Sequence, residues 1–126
     1  PMPAPAVHTH SVEIDGQLHT WEVPRLWALA AGLPTFAYPV ADFAGLDEVM
    51  WFGPHRPPTV RAVLEHLARI EAADLDQPII LSASGLVMDG VHRICRALRE
   101  GRETVLAVRF VVNPPPDRVQ GASRSA

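Results

Sequence analysis

The stretch from Gln77 to Phe110, QPIILSASGLVMDGVHRICRALREGRETVLAVRF, constrains the fold more than any other part of the chain. Pro78-Ile79-Ile80-Leu81 and Leu86-Val87-Met88 are short apolar runs, and Ser82-Ala83-Ser84-Gly85 between them has turn composition, which predicts a hairpin. Asp89-Gly90 ends it. From Val91 the apolar period changes: Val91, Ile94, Cys95 and Leu98 fall at i, i+3, i+4 and i+7, one face of a helix. Gly101 stops that helix near Glu100, with arginines in the last turn where they suit the dipole. Glu103 to Val112 then reads as a β-branched, nearly continuous strand, central in a sheet or covered on both faces, and the prolines of Asn113-Pro114-Pro115-Pro116-Asp117 close it.

The helix opens on Asp89-Gly90-Val91-His92-Arg93. A helix start presents backbone N–H groups without intrahelical acceptors and a partial positive charge. Cationic side chains there oppose the dipole by roughly 0.3 to 1 kcal/mol each, so His92 and Arg93 are poor choices for stability alone. An anion held by the N–H groups and the guanidinium removes the conflict. The alternative is that Asp89 caps the helix or pairs with Arg93 while His92 stays neutral and exposed. The residues by themselves leave both readings open.

An apolar strand, Asp-Gly-x-His-Arg, a helix of small and apolar residues, Gly, and a β-branched strand together resemble the ParB/sulfiredoxin superfamily. The resemblance covers Pro78 to Phe110 and, more loosely, the upstream helix from Pro58 to Ala73 with its Ala-Asp-Leu-x-x-Pro-Ile link. The MDGVHRI wording, Trp51-Phe52 and the Pro-Pro-Asp flank are also similar to short standalone bacterial ParB-like proteins. The resemblance implies an α+β fold, a small mixed sheet with a phosphate-binding helix and flanking helices. It also implies a nucleotide phosphate bound at the helix start by Asp89, Gly90, His92 and Arg93. Superfamily members include partition proteins, a sulfinic acid reductase, small-molecule kinases and proteins described as nucleases. Sulfiredoxins carry their nucleophilic cysteine between the second glycine and the histidine, where this chain has Val91; Cys95, on the apolar stripe, reads as a buried and inert thiol.

Composition narrows the function. The 126 residues suit one domain with a real core, expected over 8–117 between a loose end at 1–7 and a disordered tail at 118–126. A net charge of -3 gives no basic excess for nucleic acid, and the absence of lysine excludes lysine chemistry. A single cysteine needs no oxidising compartment, and no apolar run approaches the ~18 residues of a membrane span, so a cytoplasmic protein is expected.

Upstream, Asp15-Gly16 between Ser11 to Ile14 and Gln17 to Trp21 is a strong hairpin signal. His8 and His10, at i and i+2, lack a third ligand and read as incidental rather than metal-binding. Pro24 to Ala31 predicts a short amphipathic helix, with Trp21 and Trp27 as core anchors in preference to base-stacking platforms. Thr35 to Val40 is extended. Asp42, Asp47 and Glu48 offer carboxylates that could accept a hydroxyl proton or hold magnesium, or else form a solvated helix face or cap. Gly53 to Thr59 is a proline-rich loop in which His55 and Arg56 are candidates for a phosphate or acidic substrate, and a plain connection is the alternative. Thr59 caps a helix whose Val60, Val63, Leu64, Leu67 and Ile70 form a clean stripe. The resemblance places His66 and Arg69 of that helix near the nucleotide; pairing with Glu65 or water is the alternative.

The expected function is nucleotide-dependent phosphoryl transfer to a small hydroxyl-bearing metabolite. The cofactor is ATP or ADP with Mg2+, or CTP, with His92, Asp42, Asp47 and Glu48 as catalytic candidates. The rivals are a nucleotide-gated binding or regulatory module, with a homodimer as an option, and an enzyme of another class using His92 as acid or base in the same pocket.

Overall fold

The computed structural model describes residues 8–121. In chain order the elements are β1 (Thr9–Ile14), β2 (Gln17–Glu22), α1 (Val23–Ala30), β3 (Phe36–Pro39), two 3-10 turns (Val40–Asp42 and Ala44–Asp47), α2 (Val60–Ala72), β4 (Ile79–Leu81), β5 (Val87–Asp89), α3 (Val91–Arg99), β6 (Thr104–Arg109) and β7 (Arg118–Gly121). The architecture is α+β, with strand orders β1-β2-β7 and β3-β6-β4-β5. The expected loose end at 1–7 and residues 122–126 lie outside the described residues. Among the described residues no helix is long and apolar enough to cross a membrane.

The chain divides into two compact units. The first gathers the described residues of Pro1–Leu33, Ile80–Asp89 and Arg109–Ala126. Asp15 (φ 51) and Gly16 (φ 77) make the left-handed turn of the β1–β2 hairpin, whose register sets His10 against Trp21 and Ile14 against Gln17. α1 follows directly, with Pro24 in its first turn and Leu26 and Ala30 turned inward. Trp21 is buried as expected, but Trp27 is 52% exposed, so it does not anchor the core. The turn 82–86 is closed by Ser82 Oγ, which accepts from Leu86 N, and by Asn113 Oδ1, which accepts from Ala83 N at 2.7 Å.

Two expectations fail in this unit. Arg118–Gly121 is not disordered: it is β7, antiparallel to β2. The preceding segment is laced down by side chains, since Trp21 Nε1 donates to Pro114 O at 2.8 Å and Asp117 Oδ2 accepts from Glu22 N at 2.8 Å and from Arg25 Nη1. The backbone N–H of Glu22 and, to a lesser degree, the Arg25 guanidinium hold this carboxyl below the ordinary aspartate range. The closing strand also ends earlier than expected, at Arg109, and Val111 and Val112 are 86% and 78% exposed. The last hydrogen bond there is Phe110 N to Leu81 O, after which the chain leaves the sheet toward the prolines.

The second unit holds Pro34–Ile79 and Gly90–Val108. β3 pairs antiparallel with β6, from Phe36 against Ala107 to Pro39 against Thr104. Tyr38, Val40, Ile79, Ile94, Ala97, Val105, Ala107 and Val108 are buried. Thr59 Oγ1 accepts from Ala62 N at 3.1 Å, the expected cap of α2. The buried face of α3 is set by Ile94 and Ala97 rather than by the stripe through Leu98, which is 36% exposed, because small Ala97 permits close approach. α2 shows the larger departure: none of its residues is buried, and its half-buried side is Ala62, His66 and Ile70, so that of the expected aliphatic stripe only Ile70 is turned inward.

Candidate functional site

The second unit contains a cluster of rings built from three parts of the chain. α2 carries His66 and the first turn of α3 carries His92. Their rings are nearly coplanar, 10° apart, with His66 Nδ1 and His92 Nε2 2.8 Å from each other. Trp51 lies parallel over both, its ring centroid 4.2 Å from that of His66 and 4.6 Å from that of His92. Phe52 sets its edge against His66 at 5.5 Å.

This geometry limits where protons can sit on the two imidazoles. At 2.8 Å one nitrogen donates N–H and the other accepts. When both rings are neutral, one proton lies in the bridge and one outer nitrogen keeps a lone pair. A proton taken up there leaves the pair singly charged. A second positive charge would set two N–H groups head to head, so this bridge is compatible with one extra proton and not with two. Burial lowers the His66 pKa, the Arg69 guanidinium lowers it further, and Glu65 opposes both. A lowered value keeps the ring neutral near pH 7, the state a general base requires.

α3 starts at Gly90, which is left-handed (φ 118, ψ 16) and whose carbonyl accepts from Arg93 N and Ile94 N at 3.0 and 3.1 Å. Glycine is required there twice over. The positive φ strains any L side chain, and a Cβ would stand 2.4 Å from Ile79 Cγ2. Arg93 is half-buried and its Nη1 approaches Pro78 O at 3.4 Å. One turn on, Arg96 Nη1 donates to Glu71 O and Ala73 O, satisfying carbonyls at the end of α2 and fixing the helix that presents His66. Cys95 is half-buried and burial pushes its thiol up, as suits an inert side chain.

The other expected residues are distributed as follows. His55 and Arg56 are exposed in a tight turn where Gly53 and Arg56 exchange backbone hydrogen bonds at 2.9 and 3.0 Å. Arg69 is exposed on α2, near enough to act on His66. Asp42, Asp47 and Glu48 are exposed on or beside the 3-10 turns, and Asp42 adds to the burial that raises the Tyr38 phenol. Among the described residues no three His, Cys, Asp or Glu side chains gather to hold a metal ion. Asp89 belongs to the first unit, where Trp27 Nε1 donates to its Oδ2 at 2.8 Å. Beside it His10 faces Trp21 at 5.9 Å, and burial lowers its pKa against the pull of Asp89.

The pairing of His66 with His92 and the roof formed by Trp51 are not expected from sequence. The available signal is that His66 is flanked at i−4 and i+4 by Ala62 and Ile70, an inner face that small residues mark but an aliphatic count overlooks. Comparison with known proteins finds no matching family model, no similar curated protein and no similar solved structure.

Proposed function

We propose that the protein is a phosphate-handling small-molecule enzyme of ParB/sulfiredoxin-like fold in which His66 and His92 act together as the general base. The order of strand, Asp89-Gly90, helix and strand supports the fold reading. The observation that carries the function is the 2.8 Å hydrogen bond between the two imidazoles, under an indole that limits water on one side. The reaction that best joins such a pair to a helix start is transfer of a phosphoryl group from a nucleotide, ATP, ADP or CTP, to the hydroxyl of a small metabolite, in the cytoplasm. The hydroxyl oxygen bonds to phosphorus and its proton passes to the outer lone pair of the imidazole pair. The bond to the leaving phosphate breaks, and its electrons stay with that oxygen. Main-chain N–H groups of the first turn of α3 stabilise charge on the phosphoryl oxygens. A magnesium ion would supply charge neutralisation on the phosphates. It is held mostly by phosphates and water in such enzymes, so one or two of Asp42, Asp47 and Glu48 suffice as protein ligands.

The test is phosphorus NMR of the chain with each nucleotide and a panel of hydroxyl acceptors, alongside thermal stabilisation by the same nucleotides. His66→Asn and His92→Asn are expected to keep nucleotide stabilisation and lose transfer by at least about a hundredfold, within the usual range for general-base removal. Transfer that persists in both variants defeats the acid–base assignment. Stabilisation without turnover by any acceptor favours the nucleotide-gated binding module.

A further inference from the structure

The 5.1 Å between the ring centroids of His66 and His92 equals their 2.8 Å N···N separation plus the two ring radii. With planes only 10° apart, the imidazoles therefore stand end to end, both bridging nitrogens on one line. Trp51 is parallel to both, 11° from His66 and 5° from His92, with its centroid 4.2 and 4.6 Å from theirs. These separations put the middle of the bridge about 3.6 Å from the indole centroid, well inside the ~6 Å reach of a cation–π contact. The indole face thus covers the bridge itself. We propose that His66 Nδ1 and His92 Nε2 bind one soft monovalent metal ion, copper(I), in line between them and beneath Trp51.

The donor set selects the ion. Zinc asks for three or four converging ligands, and among the described residues no three His, Cys, Asp or Glu side chains gather. Two collinear imidazole nitrogens suit the linear coordination of a filled-shell monovalent ion. Charge points the same way: burial and the Arg69 guanidinium both disfavour positive charge at His66, which costs a divalent ion more than a monovalent one. The indole face offsets part of that cost. Metal–nitrogen bonds of roughly 2 Å each require the nitrogens to part by about 1.2 Å, a small rotation for two half-buried rings. The protons balance. In the neutral pair one ring donates its bridging N–H and keeps a lone pair on its outer nitrogen. As the ion enters, that bridging proton passes to the outer nitrogen of the same ring, and none is released. The ion and the general-base role therefore exclude one another, because with the ion bound both outer nitrogens carry protons.

Air-stable silver(I) is the first probe and copper(I) under anaerobic ascorbate the second, with the full chain carrying Cys95→Ala so that its thiol does not compete. Calorimetry is expected to give one tight site per chain. In nitrogen NMR of the histidine-labelled chain, silver(I) should shift His66 Nδ1 and His92 Nε2 and split both by coupling to the silver nucleus, a readout that needs no substitution at the site. His66→Asn and His92→Asn, with circular dichroism to verify folding, should each weaken binding by at least about a hundredfold. Trp51→Leu should weaken it by about tenfold, and Trp51→Phe should keep most of the affinity. No tight binding of either ion, binding untouched by either histidine substitution, or coupling to other nitrogens overturns the proposal. Trp51→Leu without effect overturns the place of the ion beneath the indole. None of these readouts uses phosphoryl transfer, so failure of the metal site is distinct from failure of the general-base assignment.

Discussion

Gly90→Ala is the substitution whose cost can be worked most directly from the structure. At φ 118 and ψ 16 an alanine is strained by about 1 to 2 kcal/mol relative to glycine. Its Cβ would also meet Ile79 at 2.4 Å from Cγ2, 2.7 Å from Cβ and 3.1 Å from Cα. The last two atoms cannot swing away as a side-chain tip can, so the backbone at the start of α3 must shift, at about 1 to 3 kcal/mol for overpacking. Together these give about 2 to 5 kcal/mol, a large part of the roughly 5 to 15 kcal/mol that holds a domain folded. With an unfolding entropy near 2.1 cal/mol/K per residue, a chain of 126 residues loses about 4 °C per kcal/mol, or roughly 8 to 20 °C in Tm. Gly101→Ala is the control. Gly101 also has positive φ, 72, but a Cβ there meets nothing within 4 Å, so only the strain of about 1 to 2 kcal/mol applies. Urea unfolding of both variants, with thermal scans, measures the difference. Equal destabilisation of the two would falsify the close approach of Gly90 to Ile79 and with it the described start of α3.

Trp51→Ala should raise the His66 pKa toward the ordinary histidine value, because burial is the first cause of its depression; imidazole proton NMR across a pH series reads this directly, and no upward movement refutes the role of the indole. Arg96→Ala should destabilise by about 1.5 to 3 kcal/mol through loss of charge-assisted bonds to Glu71 O and Ala73 O, measured by urea unfolding, with loss of protection from hydrogen exchange concentrated in α2. Stability should fall as pH drops through about 6.5, the ordinary histidine value, toward the lower folded values of His10 and His66. The sign follows from the lowered folded pKa values: in that window the unfolded chain binds more protons, and acid favours it. His10→Gln and His66→Gln should each flatten this part of the pH–stability curve, and a curve of unchanged slope in both would remove histidine burial as its cause.

Local signals predicted local structure well. Asp15-Gly16, Thr59, Pro24 and Gly90 each impose a backbone geometry through their own chemistry, and the hairpin, the cap of α2 and the starts of α1 and α3 are found where those residues stand. The sequence is less informative where burial depends on distant partners. The stripe of α2 reads as a core face by count, yet Ala62, His66 and Ile70 make its inner side. Val111 and Val112 extend a β-branched run beyond the last residue that finds a sheet partner. Arg118–Gly121 is small and polar, but β2 supplies the missing backbone hydrogen bonds, which no local composition can announce. The candidate site divides in the same way. The Gly90 start and His92 are readable from the DGVHR stretch, whereas the meeting of His66, His92 and Trp51 depends on how α2 and the preceding loop pack.

The pairing of Thr20 with Arg118 and the bond from Trp21 to Pro114 have a bearing on how the chain reaches its native state. The first unit is assembled from early, middle and late segments of the chain, while the second is enclosed between them in sequence. Contacts of such wide separation incur loop-closure entropy before they return any energy, and they slow folding. During synthesis the β1–β2 hairpin would therefore wait on the ribosome until the segment after Asn113 emerges. The Trp21 indole N–H remains without its Pro114 acceptor over that interval, the period in which the nascent chain is most exposed to misassociation.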